Sequence, residues 1–192
     1  MDRVTRKIDR LAEEFAGGMI NRAQFQQLFE HYQNERRAVQ SWMDSHVDAE
    51  GWREAVREGH SIMIRSRNSA RVLGYAIYEN DSGIPITTIG HFEIDPALAV
   101  PMLSAYRSAA KEIFGGELRS TQIEGGKWLA FIPGRFTTLL TVFTTEPATR
   151  QLESLEEMHH LFERANVKAL QTRPVSPESL ALPHQSYLGR LI

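Results

Sequence analysis

The sequence predicts an α+β protein, a five-stranded antiparallel sheet flanked by helices and preceded by an N-terminal helical hairpin. Three observations carry this reading. From Val72 to Ala165 the residue patterns run strand, strand, helix, strand, strand, strand, helix. Glycine or proline stands at nearly every joint of that run. Ahead of it, the apolar residues recur at helical rather than strand spacing. The chain divides accordingly into a helical region at 1–58, an α+β domain at 59–166 and a C-terminal tail at 167–192.

In the first helix Val4, Ile8, Leu11 and Phe15 share one face, and Asp9, Arg10, Glu13 and Glu14 take the other. Gly17-Gly18 ends it. Asn21 is a good N-cap for the next helix, with Gln24 three residues later to complete a capping box. That helix carries the stripe Phe25, Leu28, Phe29, Tyr32, Arg36, Val39 and Met43. Two helices joined by so short a link form an antiparallel hairpin with too little core to stand alone. Phe25, Phe29 and Tyr32 are therefore candidates for an interaction face, covered in the same chain, by a second copy or by a partner. A third helix is expected over Asp48 to Arg57, burying Trp52 and Val56, and a short lead-in strand at Ile62 to Ile64.

Val72 to Glu79 is aromatic and β-branched, and Asn80-Asp81-Ser82-Gly83 turns it into Ile84 to Ile89. Pro85 lacks an N–H, which places this returning strand at a sheet edge. Asp95-Pro96 opens the middle helix, whose buried face is Leu98, Met102, Ala105, Tyr106, Ala109 and Ile113, and Gly115-Gly116 closes it. Glu117 to Glu124, Lys127 to Ile132 and Phe136 to Thr145 are strands separated by the Gly125-Gly126 and Pro133-Gly134 turns. Loops this short make the three antiparallel neighbours. The last is the richest in β-formers and suits a central strand. A final helix follows Glu146-Pro147 with Leu152, Leu155, Met158, Leu161, Phe162 and Ala165 as its stripe, closed by Asn166. The proline-containing tail is expected to be mobile or to strap along the domain through Leu180, Tyr187, Leu191 and Ile192.

Composition narrows function mainly by exclusion. Of 192 residues 42% are hydrophobic, enough to fill a core, and the formal net charge is -2. So balanced a charge gives no support to nucleic-acid binding, and Arg65, Arg67 and Arg71 read as a solvated strand edge. There is no cysteine, which removes disulfides, thiolate catalysis and cysteine-bound metal. The first fifteen residues are charged and periodic, without a signal-peptide core, and no apolar run approaches the roughly 20 residues of a membrane span. A cytoplasmic protein without membrane insertion is expected.

No catalytic motif stands out. His159 and His160 are adjacent and point about 100° apart on a helix, so they read as a solvated face rather than a metal site. Gly125-Gly126-Lys127 joins two strands and lacks the following serine or threonine of a phosphate loop. His91, Glu93 and Asp95 cluster before the middle helix, but Asp95 is taken up by capping and no nucleophile is placed beside them. Lys127, Trp128 and Arg135 read as structural residues at one end of the sheet. The chain is expected to be no enzyme and to use no cofactor.

The element order of Val72 to Ala165, with Phe114-Gly115-Gly116-Glu117 as a one-turn stop before the third strand, resembles the profilin-like superfamily of roadblock and longin modules, the roadblock version best. The resemblance covers about half of the chain and rests on layout rather than a diagnostic motif. It implies a non-catalytic regulatory or scaffolding module, a homodimer that continues its sheet across two subunits and serves as a platform for a small Ras-like GTPase. The implied dimer or partner surface is Met102, Tyr106, Ala109, Ile113, Arg119, Thr121 and Ile123. The lead-in strand and helical hairpin depart from that module and leave a PAS- or GAF-like sensory domain as the alternative. It would hold a small ligand between sheet and helices, among Tyr75, Ile77, Leu103, Phe131 and Val142.

Overall fold

A computed structural model describes residues 2–43, 50–95, 98–105, 120–172 and 174–184. The fold is α+β, and the chain forms two compact units. The first comprises Met1–Ala70 with Ala148–Arg150, and the second Arg71–Pro147 with Gln151–Ile192.

The first unit is built from α1 (Asp2–Ala16), α2 (Arg22–Met43) and α3 (Glu50–Arg67). Gly18, at φ +67°, ends α1 in a Schellman arrangement: Met19 N–H donates to Glu14 C=O at 2.9 Å and Gly18 N–H to Phe15 C=O at 3.0 Å. The Asn21–Gln24 capping box forms as the spacing predicts. Gln24 N–H donates to Asn21 Oδ1 at 2.9 Å, and Asn21 N–H to Gln24 Oε1 at 3.0 Å. The same two side chains then use their amide nitrogens on α3. Asn21 Nδ2 donates to Asn68 C=O and Gln24 Nε2 to Arg65 C=O, both at 2.7 Å. Orphan donors at the start of one helix and orphan acceptors at the end of another are thus satisfied by one pair of residues. Val4, Leu11, Ile20, Leu28, Tyr32 and Ile64 form the core, and Arg65 pairs with Glu14 at 2.6 Å.

The expected helix at Asp48–Arg57 and strand at Ile62–Ile64 are corrected by α3, which runs unbroken from Glu50 to Arg67. Ser61 and Ile64 are buried whereas Ile62 and Met63 are exposed, a spacing of three that belongs to a helix. Arg65 and Arg67 therefore lie on a helix, not on a strand edge. The side chains of Val39, Met43, Trp52 and Val56 are outside the described residues.

The second unit holds β1 (Val72–Glu79), β2 (Pro85–Gly90), β3 (Ser120–Gln122), β4 (Trp128–Pro133) and β5 (Thr137–Phe143) in one antiparallel sheet of order β2-β1-β5-β4-β3. Pro85 stands on an edge strand at a break in register between Ile77 and Tyr78. β5 is central, and all seven of its residues are buried. One sheet face presents Ala76, Tyr78, Leu129, Phe131, Leu140 and Val142, packed with Ala99 and Leu103 of the helical segment 98–105 (α4). Tyr75, Ile77, Ala130, Ile132, Leu139 and Thr141 alternate with these and so lie on the opposite face. That second face receives α5 (Thr149–Ala165), which buries Leu152, Leu155, Met158, His159, Phe162 and Glu163. Leu161 and Ala165 are exposed, contrary to the expected stripe.

Asn166 closes α5, as expected, and a further short helix, α6 (Val167–Gln171), follows directly. Of the tail, Leu170, Leu180 and His184 are buried, so the described part straps along the second unit. Tyr187, Leu191 and Ile192 lie outside the described residues, as do Pro96, Gly115, Gly116 and the start of the expected third strand.

Candidate functional site

Three places in the molecule carry groups that packing alone does not account for. The first is the free side of β3. Among the described residues β3 pairs with β4 alone, in the register Ser120↔Ala130, Thr121↔Leu129, Gln122↔Trp128. Ile123 N–H donates inward to Lys127 C=O at 2.9 Å. Because backbone groups alternate along a strand, Ser120 and Gln122 direct theirs away from β4, where no strand pairs with them among the described residues. Of the residues expected on this surface, Met102 and Ile123 are partly buried against the sheet core, and Thr121 lies half-buried on β3 itself. Tyr106, Ala109, Ile113 and Arg119 lie outside the described residues. The Glu124–Gly126 turn beside this edge is a short 3-10 loop with Gly125 and Gly126 at φ +75° and +74°, the hairpin turn that the glycine pair predicts.

The second is an aromatic ladder on the helical unit. Phe25 stacks on Phe15 with ring centroids 4.6 Å apart and on Phe29 at 5.8 Å. Phe15, Met19 and Phe29 are exposed. Tyr32 is not available to that face: it is buried in the helical core, with Lys7 Nζ 5.5 Å from its ring centroid. Its place in the exposed row is taken by Phe15.

The third was not singled out by residue pattern. On the second face of the sheet, His159 and Glu163 of α5 are buried, which corrects the solvated reading of His159; His160 beside it is exposed. The Glu163 carboxylate accepts four hydrogen bonds from the β4–β5 turn: Arg135 N–H at 2.7 Å, and Phe136 N–H, Thr137 N–H and Thr137 Oγ1–H at 2.8 Å. Burial works to raise its pKa, but these four donors outweigh it and hold the carboxyl below its ordinary range. Gly134 makes room, since a Cβ there would collide with the Glu163 carboxylate. His159 Nε2 lies 3.2 Å from Thr137 Oγ1 and 3.4 Å from Thr137 C=O. With the threonine proton given to Glu163, this network assigns the His159 proton to Nε2 and leaves Nδ1 as an acceptor.

Beyond His159 the polar groups lose their partners. Tyr75 Oη, Thr141 Oγ1, His159 Nδ1 and both ring nitrogens of His184 are buried without a hydrogen-bond partner among the described residues. The His184 ring centroid lies 5.0 Å from Tyr75, 5.2 Å from Phe162 and 6.0 Å from His159. Burial, with a smaller contribution from His159, pushes the His184 pKa down to about 3, and burial lowers that of His159 against the opposing charge of Glu163, so both rings are neutral. Burial likewise raises the Tyr75 phenol. A sequence signal for His159 did exist: it lies four residues after Leu155 and three before Phe162, on the apolar stripe.

The residues expected to enclose a ligand separate onto two faces. Leu103, Phe131 and Val142 belong to the α4 side, Tyr75 and Ile77 to the α5 side. Glu93 is paired with Lys127 at 3.5 Å, and Arg135 lies over the Phe136 ring. Among the described residues no group of three or more His, Asp or Glu converges to hold a metal, and no helix is long and apolar enough to cross a membrane. Comparison with protein-family models, with curated proteins and with solved structures finds no match to this chain.

Proposed function

We propose that the chain is a non-catalytic regulatory or scaffolding module that self-associates through the outer edge of β3, continuing the sheet into a second copy. The observation that carries this reading is that, among the described residues, the outward backbone groups of Ser120 and Gln122 have no partner, at the end of a sheet whose other edge strand carries Pro85. An open strand edge is a template for another strand, and main-chain hydrogen bonds supply the affinity. The dimer would act as a platform for a partner protein, with a small Ras-like GTPase proposed from the element order. The Phe15–Phe25–Phe29 ladder, exposed at Phe15 and Phe29, offers a second, apolar contact.

Sedimentation velocity over a range of concentrations tests the pairing step. The chain should shift from monomer to dimer, and Gln122→Pro should stay monomeric with unchanged circular dichroism. That substitution removes an outward N–H and leaves the inward ladder to β4 intact. A monomer at every concentration, or a dimer indifferent to Gln122→Pro, overturns it.

A second reading, a sensory domain holding a small polar ligand, draws on the atoms of Tyr75, Thr141, His159 and His184 that have no partner among the described residues. Buried polar groups are almost always satisfied. These supply two hydroxyl donors, an imidazole N–H and several acceptors, a set suited to a small polar molecule between the sheet and α5. Tyr75→Phe would then weaken ligand-induced stabilisation in a thermal-shift screen of small polar compounds. A screen in which no compound stabilises the chain sinks this reading.

A further inference from the structure

A groove of about 700 Å³ opens on the helical unit between α2 and α3, and its walls include Glu30, His31, His60 and Arg67. At its wall two imidazoles from different helices meet. His31 Nδ1 and His60 Nδ1 are 3.2 Å apart, with ring centroids at 4.8 Å and ring planes inclined by 72°. His31 is half-buried and His60 exposed.

The remaining nitrogen of His31 settles which atoms are available. His31 Nε2 lies 3.2 Å from the Arg57 carbonyl oxygen, which can only accept, so the ring is protonated at Nε2 and its Nδ1 presents a lone pair. Such a backbone-carbonyl contact is how proteins orient a metal-bound histidine and fix its tautomer. Without a metal, His60 Nδ1–H donates to His31 Nδ1. His60 can place that proton on Nε2 instead, which frees its own Nδ1 lone pair at no cost in net charge.

We propose that His31 and His60 form a binding site for a divalent late transition metal, typified by Zn²⁺, that staples α2 to α3. A metal bound at about 2.0–2.1 Å to each nitrogen requires ligand nitrogens about 2.9 Å apart at a right angle and about 3.4 Å apart at the tetrahedral angle. The observed 3.2 Å falls between these limits, so the spacing of the two nitrogens fits a pair of ligands to one metal. To meet on it, each lone pair turns roughly 40° away from the line between the two nitrogens along which the proton is shared. Two nitrogens and no thiolate favour zinc, copper or nickel over calcium or magnesium. Among the described residues no third His, Asp or Glu converges here. The other coordination positions are left to water or to a donor from solution. Glu30 and Arg67 on the groove walls cancel in formal charge.

Calorimetric titration of the full chain with Zn²⁺ tests the site, together with ¹⁵N spectra of the imidazoles. One ion should bind per chain, and the Nδ1 resonances of His31 and His60 should move while those of the other five histidines stay. His31→Ala and His60→Ala should each weaken binding by about tenfold or more. Because His60 is exposed, His60→Ala should keep the helical circular dichroism of the parent. The proposal is overturned if Zn²⁺ does not bind, if it moves the resonances of other histidines instead, or if a folded His60→Ala chain binds as tightly as the parent.

Discussion

The carboxylate of Glu163, on α5, closes the turn that leads into β5 by accepting both the backbone N–H and the hydroxyl of Thr137, each at 2.8 Å. Arg135 and Phe136 N–H complete the set, so one side chain satisfies every backbone donor from 135 to 137. An anion held by several backbone donors is a strong local tie, because each bond is charge-assisted. Glu163→Gln keeps the shape but loses the charge and turns one acceptor into a donor facing donors. It should destabilise the chain by about 2–3 kcal/mol in urea unfolding.

The same tie sets an acid limit. The folded pKa of Glu163 lies below its ordinary value: burial pushes it up, and the hydrogen bonds from Phe136, Thr137 and Arg135 push it down further. Its contribution is fully present above the unfolded carboxylate pKa of about 4.3 and fades as pH falls through the lower folded value. Urea midpoints measured between pH 6 and pH 3 should fall in the parent. In Glu163→Gln, where nothing titrates at this position, the fall should be shallower.

Asn166 performs a comparable task for the tail. Its side chain accepts from Ala181 N–H and donates to Ala181 C=O, both at 2.8 Å, and donates as well to Phe162 C=O at 2.8 Å. Asn166→Ala removes all three bonds and leaves the Ala181 groups without them. Limited proteolysis should then cut the chain between 172 and 184 much faster than the parent, with a stability loss of about 1–3 kcal/mol. Equal cutting rates would show that Leu180 and His184 hold the strap unaided.

Gly59 lies within α3, and a Cβ at that position would meet nothing within 4 Å. An interior helix glycine without a steric or backbone requirement costs conformational entropy and gives no packing in return. Gly59→Ala should therefore raise stability by about 0.5–1 kcal/mol and shift the thermal midpoint upward. A lowered midpoint would mean that α3 is not continuous through this residue.

What residue patterns reveal here is what repeats locally. β1 has the predicted bounds, and β5 is legible as a central strand from its uninterrupted β-formers, though its burial on both faces depends on α5 as well as α4. The Asn21–Gln24 box is legible because its chemistry closes within four residues; its second use, on the end of α3, is long-range and is not. Ile62-Met63-Ile64 misleads because three apolar residues in a row fit either period, and only burial distinguishes them. His159 misleads by composition. Its polarity suggests solvent, whereas its spacing puts it on the buried stripe, and its partner Thr137 lies more than twenty residues earlier in the chain. His184 carries no local signal at all, since its burial depends on a strap fixed at Asn166 and Leu180.

The proposed role depends on what occupies the outer side of β3, and amide exchange reads that side directly. Hydrogen exchange followed residue by residue should show the Ser120 and Gln122 amides fast in dilute solution and markedly slower at high concentration. The inward amide of Ile123, already bonded to Lys127, should hardly change. Rapid, concentration-independent exchange at Ser120 and Gln122 would contradict a sheet that continues into a second copy.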